Sequence, residues 1–468
     1  MATLPAQKQS NSNKKDTHLK TSPSNTTEGS SKEIVIEQVI VNVFFDGTKN
    51  NLYNTDTYKN SPNKSVYDSN LDDYESYTNA YSNIAHLYQG RNIKSDDIWI
   101  YIDGIGTRRL GVDDQDGFAF GNGETGISTR ANLAFKEIVK GVRKKHGENS
   151  KPSIIIINVF GFSRGAATAR HFVHLAKTMP GLFPWNLSKN NIKIKFVGIF
   201  DTVSSYEPAR TSQTLSGKAG VIFKGSNFNN DVEELHLNFS EGYADKVFHI
   251  CALDEYRIFF SLTDIESARR LGCGYEVYLP GAHADIGGSY QDGKPNSYPV
   301  SRDVVLKKWF YQQSIFLEKD LVIKNYPQIS KNYIPPSEKL IRSSVSNAYY
   351  KVPLKTMRLM AEKYANLSFM TKYFEDKNQN AGQVGQLLVQ IPKTVLNGVR
   401  WGGAPADYSH LYQNLRGFRH KYVHWSAQYK LGYHLRRGKT TWADSTSVAK
   451  SEAFLDRDLE PYRKVWHG

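Results

Sequence analysis

Apolar runs and polar, glycine-rich breaks alternate along the first two thirds of the chain. Runs rich in β-branched and aromatic residues predict buried strands at residues 34–45, 97–102, 154–160, 192–200, 247–253 and 275–279. Most of these runs are separated by segments long enough for a helix, and we predict helices at about residues 76–88 and 129–145. Strands separated by helices favour an α/β fold, with a largely parallel sheet and helices on both faces.

Polar residues that can carry chemistry follow five of the predicted strands: Asp46, Asp103, Ser163, Asp201 and His283. The carboxyl ends of parallel strands meet at one edge of a sheet, and ligands bind beyond that edge. We therefore expect these side chains to converge there.

The segment Gly161-Phe162-Ser163-Arg164-Gly165 directly follows the strand predicted at 154–160 and precedes an alanine-rich helix pattern. A Gly-x-Ser-x-Gly motif in this context predicts a nucleophile elbow, a strained strand-to-helix turn that exposes the serine. The amide groups at the start of the helix then face developing negative charge. The alternative is a tight turn with an incidental serine.

Ser163, Asp201 and His283 occur in the order nucleophile, acid, base that α/β-hydrolases use. A serine hydroxyl needs an imidazole to take its proton, and the imidazole needs a carboxylate to fix its tautomer. Asp254 and Asp285 stay open as alternative acids. The alternative for His283 is a loop histidine without chemistry.

For the oxyanion hole we predict the backbone N–H of Arg164 together with that of Gly47 or Thr48, in the loop after the first strand. As a hypothesis, the Arg164 side chain shields the elbow or contacts a phosphate. Asp46 and Asp103 are expected to hold loops. Since no His, Cys and Asp cluster has metal-ligand spacing, we expect neither a metal nor a cofactor.

Composition divides the chain into three predicted parts. Residues 1–33 are polar and predict a disordered tail. Residues 34–300 form the predicted catalytic domain, with a surface insertion at 52–78. Residues 301–468 form a mainly helical, basic cap or membrane-contacting region packed on that domain.

All excess positive charge lies in residues 301–468, which hold 27 Lys and Arg against 13 Asp and Glu, whereas residues 1–300 hold 33 of each sign. Residues 416–439 mix basic and aromatic residues, a composition that can contact anionic membranes or nucleic acid. The alternative is a solvated basic face around core aromatics. With no recognisable nucleic-acid motif, we expect no nucleic-acid partner.

Two targeting features bear on localisation. The sequence has no apolar run near the roughly 18 residues that a transmembrane helix needs. The first residues also lack the apolar core of a signal peptide, so we expect a cytoplasmic protein without a cleaved leader, exported by another route.

The two cysteines, Cys251 and Cys273, are predicted to be packed thiols.

Five blocks of the sequence resemble the signature blocks of the Gly-x-Ser-x-Gly phospholipase effectors of type VI secretion, a group of α/β-hydrolase domains. They lie at residues 44–51, 77–84, 161–165, 200–203 and 281–288, and a weaker likeness continues at 352–357 and 419–426. The resemblance implies Ser163 as nucleophile, Asp201 as acid and His283 as base. It also implies hydrolysis of membrane phospholipid in the periplasm of a rival bacterium, a secretion-spike partner and a cognate immunity protein.

The combined prediction is an antibacterial serine phospholipase or lipase that cleaves carboxyl esters of membrane glycerophospholipids through an acyl-enzyme. Two rivals remain. One is a soluble-ester carboxylesterase of the same fold, and the other is a non-enzymatic secretion-spike adaptor that keeps the fold without the chemistry.

Overall fold

A computed structural model describes most of the chain. The described residues are 33–115, 117, 121–205, 232–301, 303–324, 337–378, 382–415, 417–428, 435–437 and 460–468. The predicted disordered tail lies outside the described residues, except for its last residue, Glu33.

The strands, in chain order, lie where apolar β-branched and aromatic residues are concentrated. They are β1 Ile34–Phe45, β2 Ile98–Ile102, β3 Ser150–Phe162, β4 Ile192–Phe200, β5 Lys246–Ala252, β6 Leu262–Thr263, β7 Gly274–Leu279, β8 Lys294–Pro299, β9 Leu321–Lys324, β10 Ser337–Val345, β11 Ala406–Asp407 and β12 Val465–Trp466.

The helices connect and cover these strands. They are α1 Leu52–Asn60, α2 Ser65–Asp68, α3 Leu71–Thr78, α4 Asn83–Gln89, α5 Ile127–His146, α6 Arg164–Thr178, α7 Glu266–Arg270, α8 His283–Gly287, α9 Val304–Gln312, α10 Lys351–Ala365, α11 Thr371–Asn378, α12 Gln383–Asn397 and α13 Phe418–Tyr422. Within the described chain, no helix is both long and apolar enough to cross a membrane.

The central sheet has the strand order β11-β7-β5-β4-β3-β1-β2, and every neighbouring pair in it is parallel. In the register of β3 against β4, Phe162 faces Phe200, so both strands end at the same level and Ser163 and Asp201 follow directly. His283 follows β7, two strands further along the sheet. The predicted convergence at the carboxyl edge is therefore observed.

Helices cover both faces of the sheet, as the strand pattern predicts. On one face α5 and α6 bury a stripe of small and branched side chains, including Ala134, Ile138 and Ala169. On the other face α4, α10 and α12 bury side chains such as Met357 and Ile391 against the strands. The predicted α/β-hydrolase-like arrangement is confirmed.

The second face of the sheet is built largely from residues beyond 300. Helices α10 and α12 pack into the same hydrophobic core as β3, β4 and β5, and β11 adds an edge strand beside β7. Helices α10 and α12 and strand β11 thus contribute directly to this core and to the edge of the sheet. The division of the chain at residue 300 stays a prediction.

The aromatic residues in the described part of the 416–439 stretch are buried. Phe418, Tyr422 and Trp425 are each less than 5% exposed, and they pack in two hydrophobic clusters. A side chain buried in this way cannot insert into a bilayer. The hypothesis that the aromatics of this stretch anchor the protein to membranes is therefore wrong for these three residues.

The helix predicted at 76–88 is two helices, α3 and α4, joined by extended residues. Asn79 has an extended backbone where α3 ends, and Ser82 is the N-cap of α4, with its hydroxyl accepting from Ala85 N at 3.0 Å. A serine that satisfies an unpaired N–H at a helix start favours a break at that residue. The apolar spacing alone did not reveal it.

Candidate active site

Ser163 lies at the sharp turn between β3 and α6. Its φ is +60° and its ψ is −129°, a conformation that L residues adopt only when their surroundings hold it. Two backbone hydrogen bonds hold it here: Ser163 N donates to Phe200 O at 3.1 Å, and Ala166 N donates to Ser163 O at 3.0 Å. The backbone therefore has the elbow geometry that the motif predicts.

The two glycines of the motif are required by close backbone approach. A Cβ on Gly161 would lie 2.5 Å from the carbonyl oxygen of Gly165, and a Cβ on Gly165 would lie 2.2 Å from the carbonyl oxygen of Asp46. Both neighbours are main-chain atoms, which cannot swing aside as a flexible side chain can. The first turn of α6 thus sits directly against the end of β1.

Replacing Gly165 by alanine is expected to lower the free energy of unfolding by about 3 kcal/mol, because β1 and α6 must separate to admit the methyl group. Urea denaturation measures the change. Gly181→Ala is the matched control, since an added Cβ there meets no atom within 4 Å, and its expected effect is below about 0.5 kcal/mol. Equal stabilities for the two variants would contradict the described contact.

His283 and Asp201 form a buried hydrogen bond. His283 Nδ1 lies 2.5 Å from Asp201 Oδ2. When the proton sits on Nδ1 and is held by a carboxylate, Nε2 is left to accept a proton. The sequence predicted a loop for His283, whereas the structure places it at the first residue of α8.

The protonation states follow from burial and charge. Burial acts to raise the pKa of the Asp201 carboxyl, but the Arg463 guanidinium and the His283 hydrogen bond together hold that pKa well below its usual value. Burial lowers the pKa of His283, and the hydrogen bond and charge of Asp201 oppose this shift without reversing it. At neutral pH an ionised carboxylate therefore faces a neutral imidazole, which is the state a general base needs.

Two aromatic rings fix the position of the His283 imidazole. The ring centroid of Phe162 lies 4.6 Å away and that of Phe260 lies 5.2 Å away, the latter edge-on. Phe162 immediately precedes Ser163, and its ring also lies where a Cβ on Gly287 would be. This packing brings α8, and with it His283, next to the elbow.

Asp254, the first alternative acid, is engaged away from His283. Its Oδ2 accepts from Gly281 N at 2.7 Å, and its Oδ1 lies 3.0 Å from Arg419 Nη1. These contacts hold the turn between β7 and α8.

Asp285, the second alternative acid, pairs with a different histidine. Its Oδ1 lies 2.6 Å from His424 Nδ1, and its Oδ2 accepts from the backbone N of Ala282 and of His424, each at 2.9 Å. The ring of Tyr290 stacks on the imidazole of His424, and the two ring centroids are 4.1 Å apart. The carboxylate that accepts the hydrogen bond from the His283 imidazole is therefore that of Asp201 and not that of either alternative.

The candidate oxyanion-hole residues lie in the loop after β1 and in the first turn of α6, which contact each other. Arg164 Nε donates to Thr48 Oγ1 at 2.9 Å, which ties the loop after β1 to the first turn of α6. Gly47 N donates to Asp46 Oδ1 at 2.7 Å, so this N–H is directed at a carboxylate. The choice between Gly47 and Thr48 as the second oxyanion donor stays a prediction.

Asp46 and Asp103 hold the loops around the site. The Asp46 carboxylate accepts from the hydroxyl of Tyr101 at 2.5 Å and from that of Ser82, and burial raises its pKa to about 6. Asp103 accepts two hydrogen bonds from Arg109, at 2.9 and 3.2 Å. Asp46 thus connects the end of β1 to β2, whereas Asp103 holds the loop that follows β2.

Sequence reasoning missed three charged residues at the site. Glu255 Oε2 accepts from the backbone N of His283 at 3.3 Å, and Arg257 binds both Glu255 oxygens. Arg463 binds Asp201. Glu255 follows β5, so the strand-end rule could have found it, whereas Arg463 is 262 positions from Asp201 and gives no such signal.

Two groups of His, Cys, Asp or Glu side chains in the described chain have potential metal-ligand atoms within 4.8 Å of one another. One is His249, Cys251 and Glu276, and the other is Asp264, Glu266 and His467. In the first group His249 Nδ1 bonds Glu276 at 2.9 Å, and Nε2 accepts from the backbone N of Thr202 at 3.1 Å. Both ring nitrogens thus have protein partners, and this group is accounted for as a buried polar network.

The family model described as the catalytic domain of Tle1-like phospholipase effectors of the type VI secretion system matches residues 182–313. The matched region contains Asp201 and His283 and ends before α10. A search of curated proteins finds no match. The resemblance to type VI phospholipase effectors that the sequence blocks predicted is confirmed by the family match.

The solved structures that match this chain include two with 20% and 15% sequence identity to it. The structure of the Tle1 effector bound to the VgrG spike from the type 6 secretion system is 20% identical and has a TM-score of 0.55, with 93% of this chain and 95% of that chain covered. At that identity the likeness shows a shared fold. An uncharacterised protein from Pseudomonas aeruginosa is 15% identical over 75% of this chain and 52% of that one, and its TM-score of 0.34 carries no argument.

Proposed function

We propose that this protein is an antibacterial serine phospholipase of type VI secretion, which hydrolyses carboxyl esters of membrane glycerophospholipids. The observation that carries the proposal is the hydrogen bond between His283 and Asp201 at the sheet edge where the Ser163 elbow lies. A neutral imidazole, oriented by an ionised carboxylate beside an elbow serine, suits acyl transfer. The match to the phospholipase family supports a phospholipid ester as the substrate.

In the proposed first step, His283 Nε2 takes the hydroxyl proton of Ser163 while Oγ bonds to the ester carbonyl carbon. The backbone N–H groups of Arg164 and of either Gly47 or Thr48 bind the negative oxygen of the tetrahedral intermediate. The carbon–oxygen bond to the leaving group then breaks, and His283 returns its proton to the leaving oxygen. A lysophospholipid departs, and the fatty acyl chain stays on Ser163.

In the second step, His283 takes a proton from water as the water oxygen attacks the acyl-enzyme carbonyl carbon. Collapse of this intermediate releases the fatty acid, and the proton returns to Ser163 Oγ. Asp201 stabilises the imidazolium that forms in each step. The reaction consumes one water and needs no cofactor.

Delivery and protection involve protein partners. The Tle1 effector in the similar structure is bound to the VgrG spike, and we propose a secretion-spike protein as the partner of this chain. We further propose that the protein acts in the periplasm of the target cell. A cognate immunity protein would protect the producer by blocking the site.

The positive charge of the region beyond residue 300 supports the proposal that the protein acts on an anionic bilayer. Residues 301–468 carry the whole net charge of +14 of the chain. Each Lys or Arg near an anionic membrane contributes about 1 kcal/mol of attraction, which salt weakens. The proposed membrane contact therefore rests on this charge and not on the buried aromatics of α13 and the residues after it.

Fatty-acid release from vesicles of phosphatidylethanolamine and phosphatidylglycerol tests the proposal. We expect a free fatty acid and a lysophospholipid in equal amounts, and the lysophospholipid identifies the ester that was cut. Hydrolysis of a soluble ester such as p-nitrophenyl butyrate without release from any vesicle would replace the proposal by the carboxylesterase. Hydrolysis of neither substrate would favour the non-enzymatic adaptor.

A further inference from the structure

Besides the imidazole of His283, the candidate catalytic acid has a second side-chain partner, which is a cation. Arg463 Nη1 donates to Asp201 Oδ1 at 2.6 Å, and Nη2 donates to Oδ2 at 2.9 Å. The two parallel hydrogen bonds form a bidentate pair, the geometry that fixes a carboxylate plane most strongly. Both side chains are buried, with Asp201 at 0% and Arg463 at 8% exposure.

Arg463 belongs to residues 460–468, a segment far from Asp201 along the chain. In this segment β12 pairs in parallel with β6, and Leu262 N donates to Lys464 O at 2.9 Å. The Arg463 guanidinium also donates to Phe260 O at 3.1 Å and to Ala252 O at 3.0 Å. These two carbonyl groups therefore fix the position of the guanidinium, and the guanidinium in turn fixes the position of the Asp201 carboxylate.

The carboxylate of Asp201 is fully engaged by three neighbours. Oδ1 accepts from Ala252 N at 2.8 Å and from Arg463, and Oδ2 accepts from His283 Nδ1 and from Arg463. Rotation of the carboxylate about its Cβ–Cγ bond would break the Arg463 and Ala252 bonds together. Its Oδ2 is thereby kept on the His283 side.

The charges around this pair are limited to a few groups in the described chain. Glu255 faces His283 through a backbone hydrogen bond, but Arg257 binds both of its oxygens and balances its charge. The buried Cys251 lies near Asp201 and Arg463. The Arg463 guanidinium is thus the cation in direct contact with Asp201.

We propose that Arg463 is a positioning residue for the catalytic acid, so that the active site is complete only when residues 460–468 are docked beside β6. This inference rests on the proposed triad. Arg463 orients Asp201 and keeps it ionised, and Asp201 in turn orients His283. The positive charge also opposes proton uptake by the Asp201–His283 pair, whichever of the two groups carries the proton.

The test compares Arg463→Met and Arg463→Lys by the rate at which a fluorophosphonate labels Ser163. Methionine keeps the length but removes the charge and both hydrogen bonds, and we expect labelling about 100-fold slower, the effect of a misplaced base. Lysine keeps the charge but cannot bind both carboxylate oxygens, and we expect labelling of Ser163 to be about tenfold slower.

The pH profile separates positioning from a general loss of structure. Proton uptake by the pair becomes easier without the guanidinium, so the acid limb of the labelling rate moves to higher pH in Arg463→Met and stays near the wild-type position in Arg463→Lys. Lys464→Met is the matched control, because Lys464 Nζ lies over the Trp466 ring at 3.7 Å and the change removes one charge from the same segment. We expect it to keep the wild-type rate and profile.

Wild-type labelling by Arg463→Met overturns the inference, and so does an equal loss in Arg463→Met and Lys464→Met. If Arg463→Met fails to fold, Arg463→Lys decides, because a wild-type rate in that variant also overturns the inference. Labelling needs the triad but no lipid substrate, so a failure of the phospholipase proposal appears separately, as wild-type protein that is labelled but releases no fatty acid from vesicles.

Discussion

Replacing Ser163 by alanine is expected to lower kcat for phospholipid hydrolysis by about 10⁶-fold, the scale of losing a nucleophile in an intact serine hydrolase. The variant keeps the elbow backbone, and the remaining groups have no oxygen with which to form the acyl-enzyme. Each tenfold loss is about 1.4 kcal/mol of transition-state stabilisation, so the change corresponds to about 8 kcal/mol. Fatty-acid release from vesicles at saturating lipid measures it.

Ser188→Ala is the matched control for this change. Ser188 is exposed, and its side chain bonds to the nearby Asn191 at 2.5 Å. It should keep wild-type activity. Because the hydroxyl of Ser163 is not needed for the backbone bonds that hold the turn, Ser163→Ala should melt within a few degrees of wild type. Substantial hydrolysis by a folded Ser163→Ala would show that another group attacks the ester.

Replacing Asp201 by asparagine is expected to lower kcat by about 10⁴-fold. An asparagine amide can occupy the same space, but it favours the wrong His283 tautomer and cannot stabilise the imidazolium. It also leaves the buried Arg463 without its counter-charge, which adds a loss of stability. Vesicle hydrolysis measures the rate, and thermal unfolding measures the stability.

Asp285→Asn and Asp254→Asn are the matched comparisons, since both aspartates are buried near α8 and were alternative acids. Asp285 pairs with His424 and Asp254 with Arg419, so we expect each change to cost at most about tenfold in kcat. A loss in either variant as large as that in Asp201→Asn would assign the acid differently.

The sequence predicted the parts of the site that follow strand ends. Ser163, Asp201 and His283 each come directly after, or within a few residues of, a buried apolar run, and parallel strands carry such positions to one edge. The sequence favoured Asp201 as the catalytic acid but could not exclude Asp254 and Asp285, because all three satisfy that rule. The choice depends on side-chain directions after packing, which periodicity does not encode.

The parts that the sequence did not predict depend on contacts between distant residues. Arg463 reaches Asp201 across 262 positions, and His424 reaches Asp285 across 139. The burial of Trp425 likewise depends on β8, β10 and α9 packing around it. A basic and aromatic stretch has the same composition whether its rings face a core or a membrane.

The most direct measurement of the central claim is to identify the residue modified by a fluorophosphonate, by mass spectrometry of the digested wild-type protein. We predict a single adduct on Ser163, with labelling that is strongly slowed in His283→Ala. An adduct on a different serine, or labelling of Ser163 at the same rate without His283, would contradict a triad of Ser163, His283 and Asp201.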